Sequence, residues 1–65
     1  MLAQWRGDIV GEMHIHRIRS GELAAEVGWH EKYLSAVLNG RRDPAGAEEK
    51  LRSALERLVE RSVQS

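Results

Sequence analysis

The chain has 65 residues, with ten basic and ten acidic side chains, three histidines and no cysteine. That length predicts one domain spanning residues 1–65, with a small core, because so short a chain buries only about 60% of its unfolded surface. The composition excludes disulfides and cysteine zinc sites. It fits a reducing, cytoplasmic setting, and no apolar run reaches the roughly 18 residues of a membrane span.

The residue pattern is helical throughout. Proline occurs once, phenylalanine is absent, and β-branched residues never alternate. A first helix is expected from about Trp5 to Ile15. Trp5, Ile9, Met13 and His16 recur at three- and four-residue spacing and give it one apolar face. Gly7 and Gly11 weaken it, so it depends on packing. His14 and His16 diverge by about 200° on a helix, so one metal ion cannot join both.

Ser20 is expected to cap a second helix, which runs to Val27 and stops at Gly28. Leu23 and Val27 share its inner face. The third helix is expected from His30 or Glu31 to Leu38, with Asn39-Gly40 as its stop. Asp43 is placed as the cap of a fourth helix, with Pro44 at its first position. That helix runs to about Arg61 with a stripe of Leu51, Ala54, Leu55, Leu58 and Val59. Its outer face alternates in sign, and Glu48–Arg52 and Glu56–Arg61 are expected as solvated pairs.

The informative stretch is 20–40. Two short helices are separated only by Gly28-Trp29-His30, and so short a turn makes helices cross steeply. Ala24 supplies a small residue for close approach, and Gly28 supplies a left-handed one. Leu23, Val27, Trp29, Leu34 and Val37 point into the angle. This stretch, ELAAEVGWHEKYLSAVLNG, resembles the helix-turn-helix of phage Cro and repressor proteins, the XRE-like family. The resemblance implies an all-α, four- to five-helix, lambda-repressor-like domain. Two positions depart from the family pattern: Ser20 stands where a phosphate-touching Gln is common, and Trp29 is larger than the usual turn residue. They leave open an engineered binding surface on a natural scaffold, since Gly7, Gly11, Gly46 and His14-Ile15-His16 are not choices of an idealised design.

The resemblance implies that the third helix reads double-stranded DNA in the major groove. With Leu34, Val37 and Leu38 facing inward, the outer face carries Glu31, Lys32, Ser35 and Ala36 as base contacts. Lys32 suits guanine, Glu31 a cytosine amino group, Ala36 a thymine methyl, and Ser35 several base edges. Phosphate contacts are assigned to Arg17, Arg19, Ser20, His30, Tyr33, Asn39, Arg41 and Arg42. Ser20 and Asn39 owe theirs to the resemblance, and Ser20 also to its place at a helix start.

The expected function is that of a small regulator repressing by occupancy, with no cofactor, no metal, no small-molecule substrate and no catalytic constellation. A homodimer on a two-fold site remains open. The competing class is a helical interaction or dimerisation module that does not bind DNA. Zero net charge is the main objection to nucleic acid. The sequence answers it by position: Arg17, Arg19, Lys32, Arg41 and Arg42 gather around the motif, while most carboxylates lie on the supporting helices.

Overall fold

A computed structural model describes residues 4–64, which form α1 (Gln4–His16), α2 (Ser20–Val27), α3 (Glu31–Leu38) and α4 (Ala47–Gln64). The described residues form an all-α globule, as the residue pattern predicts. None of these helices is long and apolar enough to cross a membrane. The core is made by Ile9 and Met13 of α1, Leu23 and Ala24 of α2, Leu34 and Val37 of α3, and Leu51, Ala54 and Leu55 of α4. Leu58 and Val59 are only half-buried. Helix α4 packs against α1 and α2, whereas α3 packs mainly against α2 and α1. One long face of α3 is thereby left in solvent.

Helices α1, α2 and α3 end in the same way. After α2, Gly28 is left-handed (φ 87°). Its N–H donates to Ala25 O at 3.2 Å, and the next N–H, of Trp29, donates to Ala24 O at 2.9 Å. After α3, Gly40 (φ 79°) donates to Val37 O at 3.1 Å and Arg41 to Ala36 O at 2.8 Å. This pair of bonds occupies the last carbonyls of the helix and turns the chain sharply. Asn39 stays right-handed at φ −87°, so Gly40 alone makes the stop expected of the Asn-Gly pair. After α1 the left-handed residue is Arg17 (φ 56°), with Ile18 N–H on Met13 O at 2.8 Å.

Three local expectations are corrected. Ser20 does not cap α2, because it is already helical and Arg19 holds the extended cap position (φ −84°, ψ 152°). Glu22 accepts from the Arg19 backbone N–H at 2.9 Å. A guanidinium has no acceptor, so only this half of a reciprocal capping pair can form. Asp43 does not cap α4, which starts at Ala47. Pro44-Ala45-Gly46 forms a turn closed by Ala47 N–H on Pro44 O at 3.1 Å, while the Asp43 carboxylate goes to Arg6 at 3.1 Å. Finally, His16 is exposed beside Glu12 rather than on the buried face of α1.

The outer charges of α4 also differ from expectation. Glu48–Arg52 forms at 2.9 Å, but Arg61 does not pair with Glu56. Arg57 and Arg61 both donate to Glu26 of α2, each at 2.7 Å. Five residues of helix turn Glu56 and Arg61 about 140° apart, whereas Arg57 and Arg61 lie one turn apart and can share one carboxylate. Hydrogen bonds from Arg57 and then Arg61 hold the Glu26 carboxyl below its usual value of 4.5.

This depression has a sign. The folded state keeps Glu26 ionised where the unfolded chain begins to protonate it, so the stabilisation is complete above the unfolded value. It is lost as pH falls through the lower folded value. Glu26→Gln should therefore melt below wild type at neutral pH, and the two melting curves should converge as pH drops below 4.5. Parallel curves at every pH would remove the ion-pair explanation.

Candidate nucleic-acid interface

Helix α3 advances 100° per residue. Leu34 and Val37 point into the core, and Leu38 is half-buried beside them. Glu31, Ser35, Asn39 and Lys32 then fall within about 100° of arc on the other side. All four are exposed, and Ala36 sits half-buried at the edge of that arc. The outward face is thus composed of short or polar side chains. Asn39 Nδ2 donates to Ser35 Oγ at 3.3 Å, one turn back, so these two groups are oriented together.

The start of α3 is set by His30, whose Nδ1 accepts from the Lys32 backbone N–H at 3.1 Å. That bond satisfies one of the orphan donors at the helix start. It also commits His30 to a cap while the ring stays exposed. Trp29 and Tyr33 are half-buried and meet edge to face, with ring centroids 5.0 Å apart and planes at 81°. This packing explains a tryptophan in the turn: it covers the corner between α2 and α3.

Glu31 is exposed, but its carboxylate lies back over α2. A Cβ on Gly21 would stand 3.2 Å from Glu31 Oε2. The start of α3 is therefore adjacent to the start of α2, which brings Arg19, Ser20, Glu31 and Lys32 into one neighbourhood. The free N–H groups at the head of α2 attract such a carboxylate. Gly21 is the residue that leaves room for it, and sequence reasoning gave that glycine no role.

The far end of α3 carries Arg41 and Arg42. Both backbone N–H groups donate to Ala36 O, at 2.8 and 3.3 Å. Arg6 of α1 completes this end. It is 6% exposed and is the one buried charged residue among those described. Its Nε donates to Val37 O at 2.7 Å, and its Nη2 donates to Arg42 O at 3.3 Å and Asp43 Oδ1 at 3.1 Å. Its guanidinium also sits 4.6 Å from the centre of the Trp5 ring. Arg6 was missed at the sequence level, although it shares the spacing of Ile9 and Met13. A charged residue on an apolar stripe was the available signal.

The arginines divide by element, and Lys50 is an exposed cation of α4 with no ion pair among the described residues. Arg6, Arg52, Arg57 and Arg61, all on α1 and α4, are held by carboxylates. Arg17, Arg19, Lys32, Arg41 and Arg42 are exposed and have no ion pair or side-chain hydrogen bond among the described residues. The carboxylates nearest to them in sequence are partly accounted for. Glu26 belongs to Arg57 and Arg61, Glu22 to the Arg19 backbone, and Asp43 to Arg6. Around α2 and α3 five unpaired cations therefore stand against two carboxylates without an ion pair, Glu22 and Glu31, so the charge that cancels over the whole chain is only partly cancelled there.

No match to the chain was found among protein-family profiles, curated proteins or solved structures.

Proposed function

We propose that this protein binds double-stranded DNA sequence-specifically, with α3 lying in the major groove. The observation that carries the reading is the set of five unpaired, exposed cations around α2 and α3, beside supporting helices whose arginines are all paired. Helix α3 leaves one face in solvent, and the major groove, about 12 Å wide, admits a helix whose diameter with side chains is about 10–12 Å. Arg41 and Arg42 follow one end, and Arg19 adjoins the other. Short polar groups on its outward face suit base edges, while the flanking cations suit phosphate.

Residue roles follow from position. Lys32 and Ser35 project from the exposed face and are the principal base readers, with Ala36 at the margin. Arg17, Arg19, Arg41 and Arg42 contact phosphate, and Ser20, His30, Tyr33 and Asn39 contribute at the groove walls. Glu31 can read a base only after its side chain leaves Gly21, so it favours the right site by opposing unmatched DNA. Occupancy of the site would suffice for repression.

Selection from a random duplex library, with affinity then measured against salt, tests this reading. Four cationic phosphate contacts predict a slope of about −3.6 in log affinity against log salt. Lys32→Ala should shift preference at one base position by about 1–3 kcal/mol, leaving the other positions unchanged. A flat salt response would reject DNA binding in favour of a protein-interaction module. A palindromic selected site would identify a dimer.

A further inference from the structure

We propose that Arg17 is kept for its side chain, as an anion-contact residue at the entrance to α2, in a backbone position that glycine would fill better. The proposal rests on the DNA reading above and assigns that surface a contact that works against folding stability.

Helices α1, α2 and α3 share one closing geometry, in which a left-handed residue follows one or two positions after the helix. Glycine fills that position at Gly28 (φ 87°) and Gly40 (φ 79°), and a further left-handed position is Gly46 (φ 72°). At α1 the position falls to Arg17 (φ 56°), the one non-glycine residue with positive φ among those described. A side chain there crowds the following carbonyl. Asparagine and aspartate offset that strain with local hydrogen bonds, but the Arg17 side chain makes none.

The guanidinium also makes no ion pair with any described residue, although four other arginines of the chain do. The backbone conformation therefore does not explain an arginine, and neither does any intramolecular contact. Strain retained without a structural partner is consistent with a side chain kept for a contact outside the fold. Arg17 lies three residues before Ser20, the first residue of α2, separated from Arg19 by Ile18, which packs against the core. The ligand chemistry that an exposed guanidinium fits on that surface is a backbone phosphate of the bound duplex.

Three variants of the full chain separate the backbone from the charge: Arg17→Gly, Arg17→Gln and Arg17→Lys. Each is melted, and each is titrated with a wild-type-selected duplex over a range of potassium chloride concentrations. Arg17→Gly should melt about 3–6 °C higher than wild type. It should bind about fivefold more weakly at 0.15 M salt, with a salt slope shallower by about 0.9. Arg17→Gln retains the strain without the charge, so it should melt like wild type and bind like Arg17→Gly. Arg17→Lys should keep most of the affinity.

A glycine variant that melts higher and binds DNA as tightly as wild type would overturn the assignment alone. So would a glutamine variant with wild-type affinity and slope. A glycine variant no more stable than wild type would overturn the opposition between contact and stability. Failure of the wild-type chain itself to bind any duplex would overturn the DNA reading and this assignment together.

Discussion

Arg6→Met should lower the free energy of unfolding by about 2 kcal/mol, and Arg6→Ala by about 3 kcal/mol. The guanidinium donates to two backbone carbonyls and a carboxylate, all in the segment from Val37 to Asp43. Methionine keeps the apolar stem and loses the donors. The loss is moderated at both ends. Val37 O still accepts from Gly40 N–H, and Asp43 is well solvated once released. Burial of the guanidinium also carries a desolvation cost that the variant escapes.

Against a total of roughly 3–10 kcal/mol for a 65-residue domain, the alanine change is enough to unfold part of the population. Urea unfolding measures the loss. Amide exchange at Arg41 and Arg42 should quicken in Arg6→Met beyond what the global loss explains, because Arg6 ties their loop to α1. An unchanged unfolding midpoint together with unchanged exchange would mean that Arg6 does not hold the end of α3.

Replacing Arg41 and Arg42 together with alanine should weaken DNA binding about 30-fold at 0.15 M salt. Each phosphate contact contributes about 0.9 to the salt slope, or roughly fivefold in affinity at that concentration. Two contacts multiply, and the slope should become shallower by about 1.8. The loss should be equal for specific and random duplexes, since phosphate contacts carry no sequence information. Stability should change little, because both side chains are exposed and unpaired, and the loop is held through backbone groups. Electrophoretic or fluorescence titration at several salt concentrations gives both numbers. A loss confined to one preferred sequence would make these arginines base readers. No loss at all would take the far end of α3 out of the interface.

Most of the fold was legible because local chemistry and tertiary demand agree. Leu23, Ala24, Leu34 and Val37 recur at helical spacing and are all buried. Gly28 and Gly40 sit where the chain must turn left-handed. The outward face of α3 could be read by subtraction from its apolar stripe, since a short helix has few ways to bury leucine and valine. Besides the Ser20 cap and the place of His16, the misreadings concern charged side chains. Asp43 looked like a helix cap and Arg61 like a solvated neighbour of Glu56. Both judgements used proximity along the chain, whereas long side chains find partners across it.

The sequence by itself determined where four helices form, which faces they bury and where most of the turns fall. Backbone propensity and apolar spacing are local quantities, and the core follows from them. Only the tertiary structure decided which charges are satisfied. It placed Arg6 on the end of α3, Glu26 between two arginines of α4, and the Glu31 carboxylate over Gly21. The ion pairs across the fold join residues about 31 to 44 positions apart in sequence, and composition cannot report them. That pairing leaves Arg17, Arg19, Lys32, Arg41 and Arg42 without carboxylates, and the proposed DNA contacts rest on that local excess of positive charge.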